Sequence, residues 1–300
     1  MSPTPRALEL FAGIGGFAHA VDGRSAHVVG ALDISSHVLE VYAHNFDHPT
    51  LQKNIEVLTP KMLARFDAQL WWMSPPCQPY TVRGLQKDLE DHRAKSLLHI
   101  LELLRTHAPQ MLALENVAGF ARSQAREGLV ETLEALDFEF EEMVLCPTQL
   151  GSPMRRERYY LVASRTPLTR PALPTTPPRP LSAYIHPEAH ARAELFIAPE
   201  ILAKHARGMV MVDEADAQAP QTHVNCFTSA YGKTYRFAGS YLRLGDGRVR
   251  RFSPEEILGL MGYDASYTLP EHLTLRQQFK YIGNSVSVDA VRHVLGWLGL

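Results

Sequence analysis

Along the first half of the chain, short and nearly unbroken apolar runs alternate with stretches whose apolar positions recur every three or four residues. Ala7 to Phe11, His27 to Leu32, Ala68 to Met73, Met111 to Leu114 and Tyr159 to Ala163 read as buried strands, and Glu139 to Cys146 as a further one. The periodic stretches predict helices. One is capped by Ser35 and runs to about Asn45, one covers Lys95 to Thr106 on Leu97, Leu98, Leu101 and Leu104, and one is marked by Leu129, Leu133 and Leu136. Strands taking turns with helices predict an α/β fold.

The pattern breaks at Thr166. Residues 166–180 carry six prolines and no apolar period, the mark of a linker. Beyond it the signals weaken to a helix near Pro199 to Arg207 and a turn at Gly245-Asp246-Gly247. Ser253-Pro254-Glu255-Glu256 then supplies the cap, proline and capping-box acid of a helix start. A further amphipathic helix carries Val291, Val294, Leu295 and Leu298.

Small and polar residues collect where the strands end, the edge at which open α/β sheets bind ligands. Gly13, Gly15 and Gly16 follow the first strand and let a ligand approach the backbone at a helix N-terminus. Asp33 ends the second strand, where an acid can accept hydrogen bonds from ribose hydroxyls. That pattern fits an adenosyl cofactor and does not separate NAD from S-adenosylmethionine. Met73-Ser74-Pro75-Pro76-Cys77-Gln78-Pro79 places a thiol among three prolines, which suits an aimed nucleophile or, more plainly, a proline-rich turn. Glu115 ends a buried strand, where a carboxylate is costly without a task or a partner. Arg156 and Arg158 precede Tyr159, and strand alternation would put both on one face, facing an anionic or carbonyl-bearing ligand or a solvated edge. The charged segment Arg83 to Lys95, with Lys87, Asp88, Glu90, Asp91, His92 and Arg93, fits an active-site loop or a solvated connection.

Composition narrows this further. The 300 residues are 45% apolar and 21% charged, ordinary for a soluble globular protein, and no run approaches a membrane span. Met1 to Arg6 lack the apolar core of a signal peptide, so a cytoplasmic location is expected. Cys77, Cys146 and Cys226 are odd in number and far apart, so neither a disulfide framework nor a metal site is expected. A net charge of −2 excludes a broadly basic coat for nucleic acid but not a local groove. Lys233, Tyr235, Arg236, Phe237, Tyr241, Arg243, Arg248, Arg250 and Arg251 interleave base and ring with only Asp246 opposing. That is the composition of a nucleic-acid face, or of a solvated hairpin.

In this order, the pieces resemble the cytosine-C5 methyltransferases of nucleic acids over nearly the whole chain. Phe11-x-Gly13-x-Gly15-Gly16 looks like their first cofactor motif, Asp33 like their ribose-binding acid, and Pro76-Cys77-Gln78 like their nucleophile motif. Glu115-Asn116-Val117 resembles the target-base motif, Arg156-x-Arg158 the paired arginines, and Gly283-Asn284-Ser285-Val286 the motif that returns to the cofactor. Met154 departs from the pattern, since many members carry glutamine there. Met73 to Pro79, Leu150-Gly151-x-Pro153, and Cys226-Phe227-Thr228 with Ala230-Tyr231-Gly232 are similar to the small branch called DNA methyltransferase 2, whose members act mainly on tRNA.

The resemblance implies a Rossmann-like S-adenosylmethionine-dependent methyltransferase fold with a small inserted target-recognition lobe. Residues 1–165 would form the first part of the catalytic, cofactor-binding domain, 166–251 the linker and recognition region, and 252–300 the return to the catalytic domain. Around S-adenosylmethionine, and its product S-adenosylhomocysteine, it implies Phe11, Gly13, Ile14, Gly15, Gly16, Asp33, Ile34, Asn54, Ile55, Pro76, Asn284, Ser285 and Val286. Against nucleic acid it implies Tyr231, Lys233, Arg236, Arg243 and Arg248. Cys77 would add to C6 of a cytosine, Glu115 would hold N3 and the exocyclic amine, and Arg158 with Arg156 would hold O2 and the loop. The implied partner is tRNA of the aspartate type, methylated at position 38 of the anticodon loop by a monomeric enzyme built on Cys77. A DNA enzyme of the same fold and a catalytically silent nucleic-acid-binding homologue are the rivals. An NAD enzyme would leave the Pro-Cys-Gln loop without a role.

Overall fold

The computed structural model describes residues 4–21, 25–80, 92–175 and 177–300. Met1 to Pro3, and Arg83 to Asp91 of the expected charged loop, lie outside the described residues; of the rest of that loop, 92–94 form one 3-10 turn. Two compact units divide the chain: residues 1–145, 157–172 and 290–300 form the first, and 146–156 with 173–289 the second.

The strands of the first unit are β1 (Arg6–Leu10), β2 (His27–Asp33), β3 (Thr50–Gln52), β4 (Leu70–Met73), β5 (Met111–Val117) and β6 (Glu139–Leu145). After β7 (Met154–Arg155), which belongs to the second unit, β8 (Arg158–Ser164) completes the sheet. Its order is β3-β2-β1-β4-β5-β8-β6. The first five strands are parallel, and β8 runs antiparallel to both neighbours. Strand order therefore reverses between β1 and β4, whose carboxyl ends flank the place where such sheets take ligands.

Strand alternation sorts the core. Trp71 and Met73 of β4 lie on the face that carries Leu8, Leu10, Leu112 and Leu114, which α4 (Lys95–Thr106) and α5 (Gln124–Ala135) cover with Leu97, Ile100, Leu101, Leu104, Leu129 and Leu133. Each such side chain contributes about 1.5–3 kcal/mol relative to exposure. Trp72 points to the other face and stacks on Phe17 of α1 (Gly16–Val21), ring centroids 5.3 Å apart. α2 (Ser36–Asn45) starts after Ser35 as expected, but the Ser35 hydroxyl makes no capping bond. Thr59 does cap α3 (Pro60–Ala64).

In the second unit, β9 (Val210–Asp213), β11 (Ser240–Arg243) and β12 (Val249–Arg251) form a three-stranded sheet, while β10 (Val224–Asn225) pairs with β7. Its helices are α6 (Pro199–His205), α7 (Pro254–Leu260) and α8 (Leu275–Gly283). A last helix, α9 (Val288–Leu295), belongs to the first unit from Ala290 onward. The capping box expected at Ser253 and Glu256 is present.

Candidate active site

The chain leaves β1 through Phe11, Gly13 and Gly15, all at positive φ (58°, 54° and 86°). Gly15 has no alternative, because a Cβ there would sit 2.5 Å from the Phe46 ring. At Gly13 a Cβ would meet nothing within 4 Å, so this backbone faces open space. Asp33 braces the loop: its Oδ2 accepts the Gly13 N–H at 3.0 Å and its Oδ1 the Ser35 N–H at 2.9 Å. Burial raises the Asp33 pKa, and these hydrogen bonds oppose the rise. Each oxygen keeps acceptor capacity for a hydroxyl. Beside it Ile34 is 65% exposed, an apolar face of the kind an adenine ring needs. Open backbone, acid and exposed apolar side chain together fit an adenosyl group.

Other expected cofactor residues are placed differently. Ile14 and Ile55 are buried, with Ile55 in the main core cluster, so neither side chain faces outward. Asn54 spends its Oδ1 on the Glu56 N–H at 3.1 Å, capping a short turn. Under the loop lies Glu9, which sequence reasoning passed over. It is 1% exposed and accepts the Tyr42 hydroxyl at 3.0 Å. Burial pushes its carboxyl up to about 8, against hydrogen bonds from Tyr42 and the backbone of Phe17 and Ala18. Its signal was an acid in the middle of an apolar strand, Ala7-Leu8-Glu9-Leu10-Phe11.

The thiol loop starts one strand away. β4 stops at Met73, where the prolines end its ladder, and the Trp72 indole donates to Ser74 Oγ at 3.1 Å. Asn116 Nδ2 donates to the Pro75 carbonyl at 3.2 Å, tying the loop to β5. Tyr80 N–H closes on the Cys77 carbonyl at 3.0 Å, and the Tyr80 ring meets Phe120 edge-on at 4.9 Å. Cys77 is half-buried on this clamped segment, and Pro76 beside it is half-buried too.

Glu115 and Arg158 form the adjoining pair. Val117 of β5 lies opposite Arg158 of β8, so Glu115, two residues back, is a diagonal neighbour on the same face. The Arg158 Nε stands 3.3 Å from Glu115 Oε1, with the Glu115 residue 8% exposed. Because Met73 pairs with Leu114, the Cys77 loop and Glu115 leave neighbouring strand ends.

Arg156 does not join Arg158 on one face. β8 begins only at Arg158, so the expected alternation never starts. In the second unit Arg156 is 3% exposed, and its guanidinium donates to the carbonyls of Phe227 at 3.3 Å and Ser285, and to Cys226 Sγ at 3.0 Å. It is a strut. Met154, at the position where the resemblance leads one to expect glutamine, is fully buried on β7. Asn284 is exposed at the end of α8, while Ser285 and Val286 are buried, the Ser285 hydroxyl 2.6 Å from that of Tyr263.

The basic patch also changes. Arg243 pairs with Asp213 at 3.1 Å, Arg248 with Asp246 at 2.6 Å, and the fully buried Arg250 with Glu256 at 2.7 Å, so three acids oppose it rather than one. Tyr231, expected on a nucleic-acid face, is fully buried; its hydroxyl donates to the Ser240 carbonyl and accepts the Phe252 N–H. Lys233 and Arg236 are exposed. Among the described residues, no cluster of His, Cys, Asp and Glu could hold a metal ion, and no helix is long and apolar enough to cross a membrane.

Known proteins are similar to this chain over nearly its full length. The profile of C-5 cytosine-specific DNA methylases matches residues 6–195 and 191–299. A tRNA (cytosine(38)-C(5))-methyltransferase of Homo sapiens is 29% identical over 97% of this chain and 98% of its own length. The solved structure of a triple variant of Spodoptera frugiperda DNMT2 superposes with a TM-score of 0.86 at 29% identity, covering 99% of this chain and all of that one. The methyltransferase EhMeth of Entamoeba histolytica gives 0.90 at 25% identity, over 99% and 98% of the two chains. The chain belongs to the C-5 cytosine-specific methylase family, with the S-adenosylmethionine-dependent methyltransferase fold, and within it resembles the DNMT2 branch.

Proposed function

We propose that the protein transfers a methyl group from S-adenosylmethionine to C5 of a cytosine in tRNA, in the anticodon loop, through a covalent adduct on Cys77. The observation that carries this is the clamped Cys77 loop beside the Glu115–Arg158 pair, at the carboxyl ends of β4 and β5. When bound, S-adenosylmethionine supplies an electrophilic methyl group on a sulfonium. Gly13, Asp33 and Ile34 are its proposed holders, with backbone from Ile14, Gly15 and Gly16.

The Cys77 thiolate attacks C6, and the C5–C6 π electrons become nucleophilic at C5. Glu115 holds N3 and the exocyclic amine, giving N3 a proton as the adduct forms. Arg158, 3.3 Å from Glu115, orients that carboxyl and reaches O2. After C5 has taken the methyl, its proton leaves to water or a base. The Sγ–C6 bond then breaks, restoring the double bond and releasing Cys77. Arg156 braces the second unit, through Cys226, Phe227 and Ser285, rather than the base.

Transfer RNA is favoured by the full-length relatives named for that reaction and by Cys226-Phe227-Thr228. An unpaired loop base is also cheaper to extrude than one in a duplex. The family's name keeps a DNA enzyme as the second reading. Substituting 5-fluorocytosine in a tRNA transcript blocks the final elimination. A denaturant-resistant protein–RNA adduct is expected, absent in Cys77→Ala and retained in Cys226→Ala. An adduct with duplex DNA alone would reverse the substrate; none with either, despite bound cofactor, would indicate a silent binding protein.

A further inference from the structure

We propose that the second unit carries a stacking platform for an unpaired RNA base. Phe237 supplies the ring, and Lys204, Arg207, Lys233 and Arg236 meet the flanking phosphates. The inference rests on the tRNA reading above and deepens it.

Phe237 is 62% exposed and sits at φ 55°, a backbone region that bulky residues rarely adopt. Surrounding structure holds it there. Its N–H donates to the Gly208 carbonyl at 3.2 Å, and the Arg236 side chain lies over Gly208, where a Cβ would come within 2.6 Å of Cγ. Next to it, His205 stacks on Tyr235 at 5.3 Å, and the Arg251 guanidinium lies 4.9 Å from the Tyr235 ring. Tyr235 is half-buried among these contacts, beside the exposed Phe237.

The two ends of the three-stranded sheet differ in charge. Where Arg243 faces Asp213 and Arg248 faces Asp246, every cation is matched by a carboxylate. At the other end, where Ser240 pairs with Val210, the incoming segments 204–209 and 233–239 meet. There Lys204, Arg207, Lys233 and Arg236 are exposed and make no ion pair among the described residues; Glu200, one helical turn before Lys204, is the acid of α6. An exposed ring among uncommitted cations is complementary to single-stranded nucleic acid, whose bases stack and whose backbone is anionic. A duplex hides its base faces and could use only the cations.

The test compares the full-length protein with its Phe237→Ala, Phe237→Trp and Arg207→Gln/Arg236→Gln variants, using a tRNA transcript, a fully paired RNA duplex and labelled S-adenosylmethionine. Phe237→Ala should raise KM for tRNA by about tenfold, with kcat at saturating tRNA and cofactor affinity unchanged. Phe237→Trp should restore KM, and duplex binding should not respond to either change. The double variant should lower the salt dependence of tRNA binding by roughly 0.7 per cation removed. Wild-type protein that methylates tRNA, with KM unchanged in Phe237→Ala or a loss that tryptophan does not rescue, would overturn the platform alone. Wild-type protein that neither binds nor methylates tRNA would overturn the platform and the substrate together.

Discussion

Glu9 and Glu115 are both carboxylates in buried strands, and their surroundings give them different work. Glu115 faces a guanidinium at 3.3 Å, which suits a group that must hold a polar base edge. Glu9 faces a phenol and backbone N–H groups, and burial holds its pKa near 8. The sign of the consequence follows from linkage. The folded state keeps the Glu9 proton in a range where the unfolded chain has released it, so stability is full below pH 4.5 and declines as pH rises to about 8. The unfolding free energy of the wild type, from denaturant titrations, should therefore fall across that window by on the order of a few kcal/mol more than that of Glu9→Gln. Parallel pH profiles for the two proteins would sink this assignment. At this scale the sequence singled out Cys77, Glu115, Arg158 and Asp33, the residues to which the proposed function gives the chemistry. It could not show that the Tyr231 ring is buried, because an amphipathic ring reads the same on a surface and in a core.

Helix α7 joins local and tertiary interactions. Ser253 Oγ accepts the Glu256 N–H, Glu256 Oε2 accepts the Ser253 N–H at 2.7 Å, and the same carboxylate takes both Arg250 Nη atoms at 2.7 Å and the His186 N–H at 2.8 Å. Ser253→Ala removes one capping bond and should cost about 1 kcal/mol. Glu256→Ala strands a fully buried guanidinium and should cost roughly 3–5 kcal/mol. Urea titrations of the two variants would separate the effects, and equal losses would show that the buried pair contributes nothing beyond the cap. Elements with long, regular apolar patterns were legible: α4 occupies Lys95–Thr106 as its leucines indicated. Arg156 and Arg158 were not, because the point at which β8 starts depends on pairing with β5 and β6 rather than on local pattern.

For the whole molecule, the first unit is completed by residues remote in sequence. Ala290, Val291, Val294, Leu295 and Trp297 are buried, and Arg292 donates to the carbonyls of His19 and Ala20 at 3.3 Å, serving the end of α1. Thr169 N–H donates to the Trp297 carbonyl at 3.0 Å. Ending the chain at Asp289 should lower the melting temperature by more than ~10 °C, since several buried apolar side chains are lost together. Circular dichroism melts of the two forms decide this, and transitions within a couple of degrees would refute it. By itself the sequence determined the α/β alternation and the glycine and proline punctuation at the strand ends, because these are set by local backbone restrictions and by apolar period, and its ordered motifs carried the resemblance to the cytosine-C5 methyltransferases. Only the tertiary structure decided which cations are committed to carboxylates, which aromatic rings face water, and that Glu9 lies beneath the glycine loop after β1. Those outcomes depend on partners far away in sequence, and burial and pairing are properties of contacts that no local pattern contains.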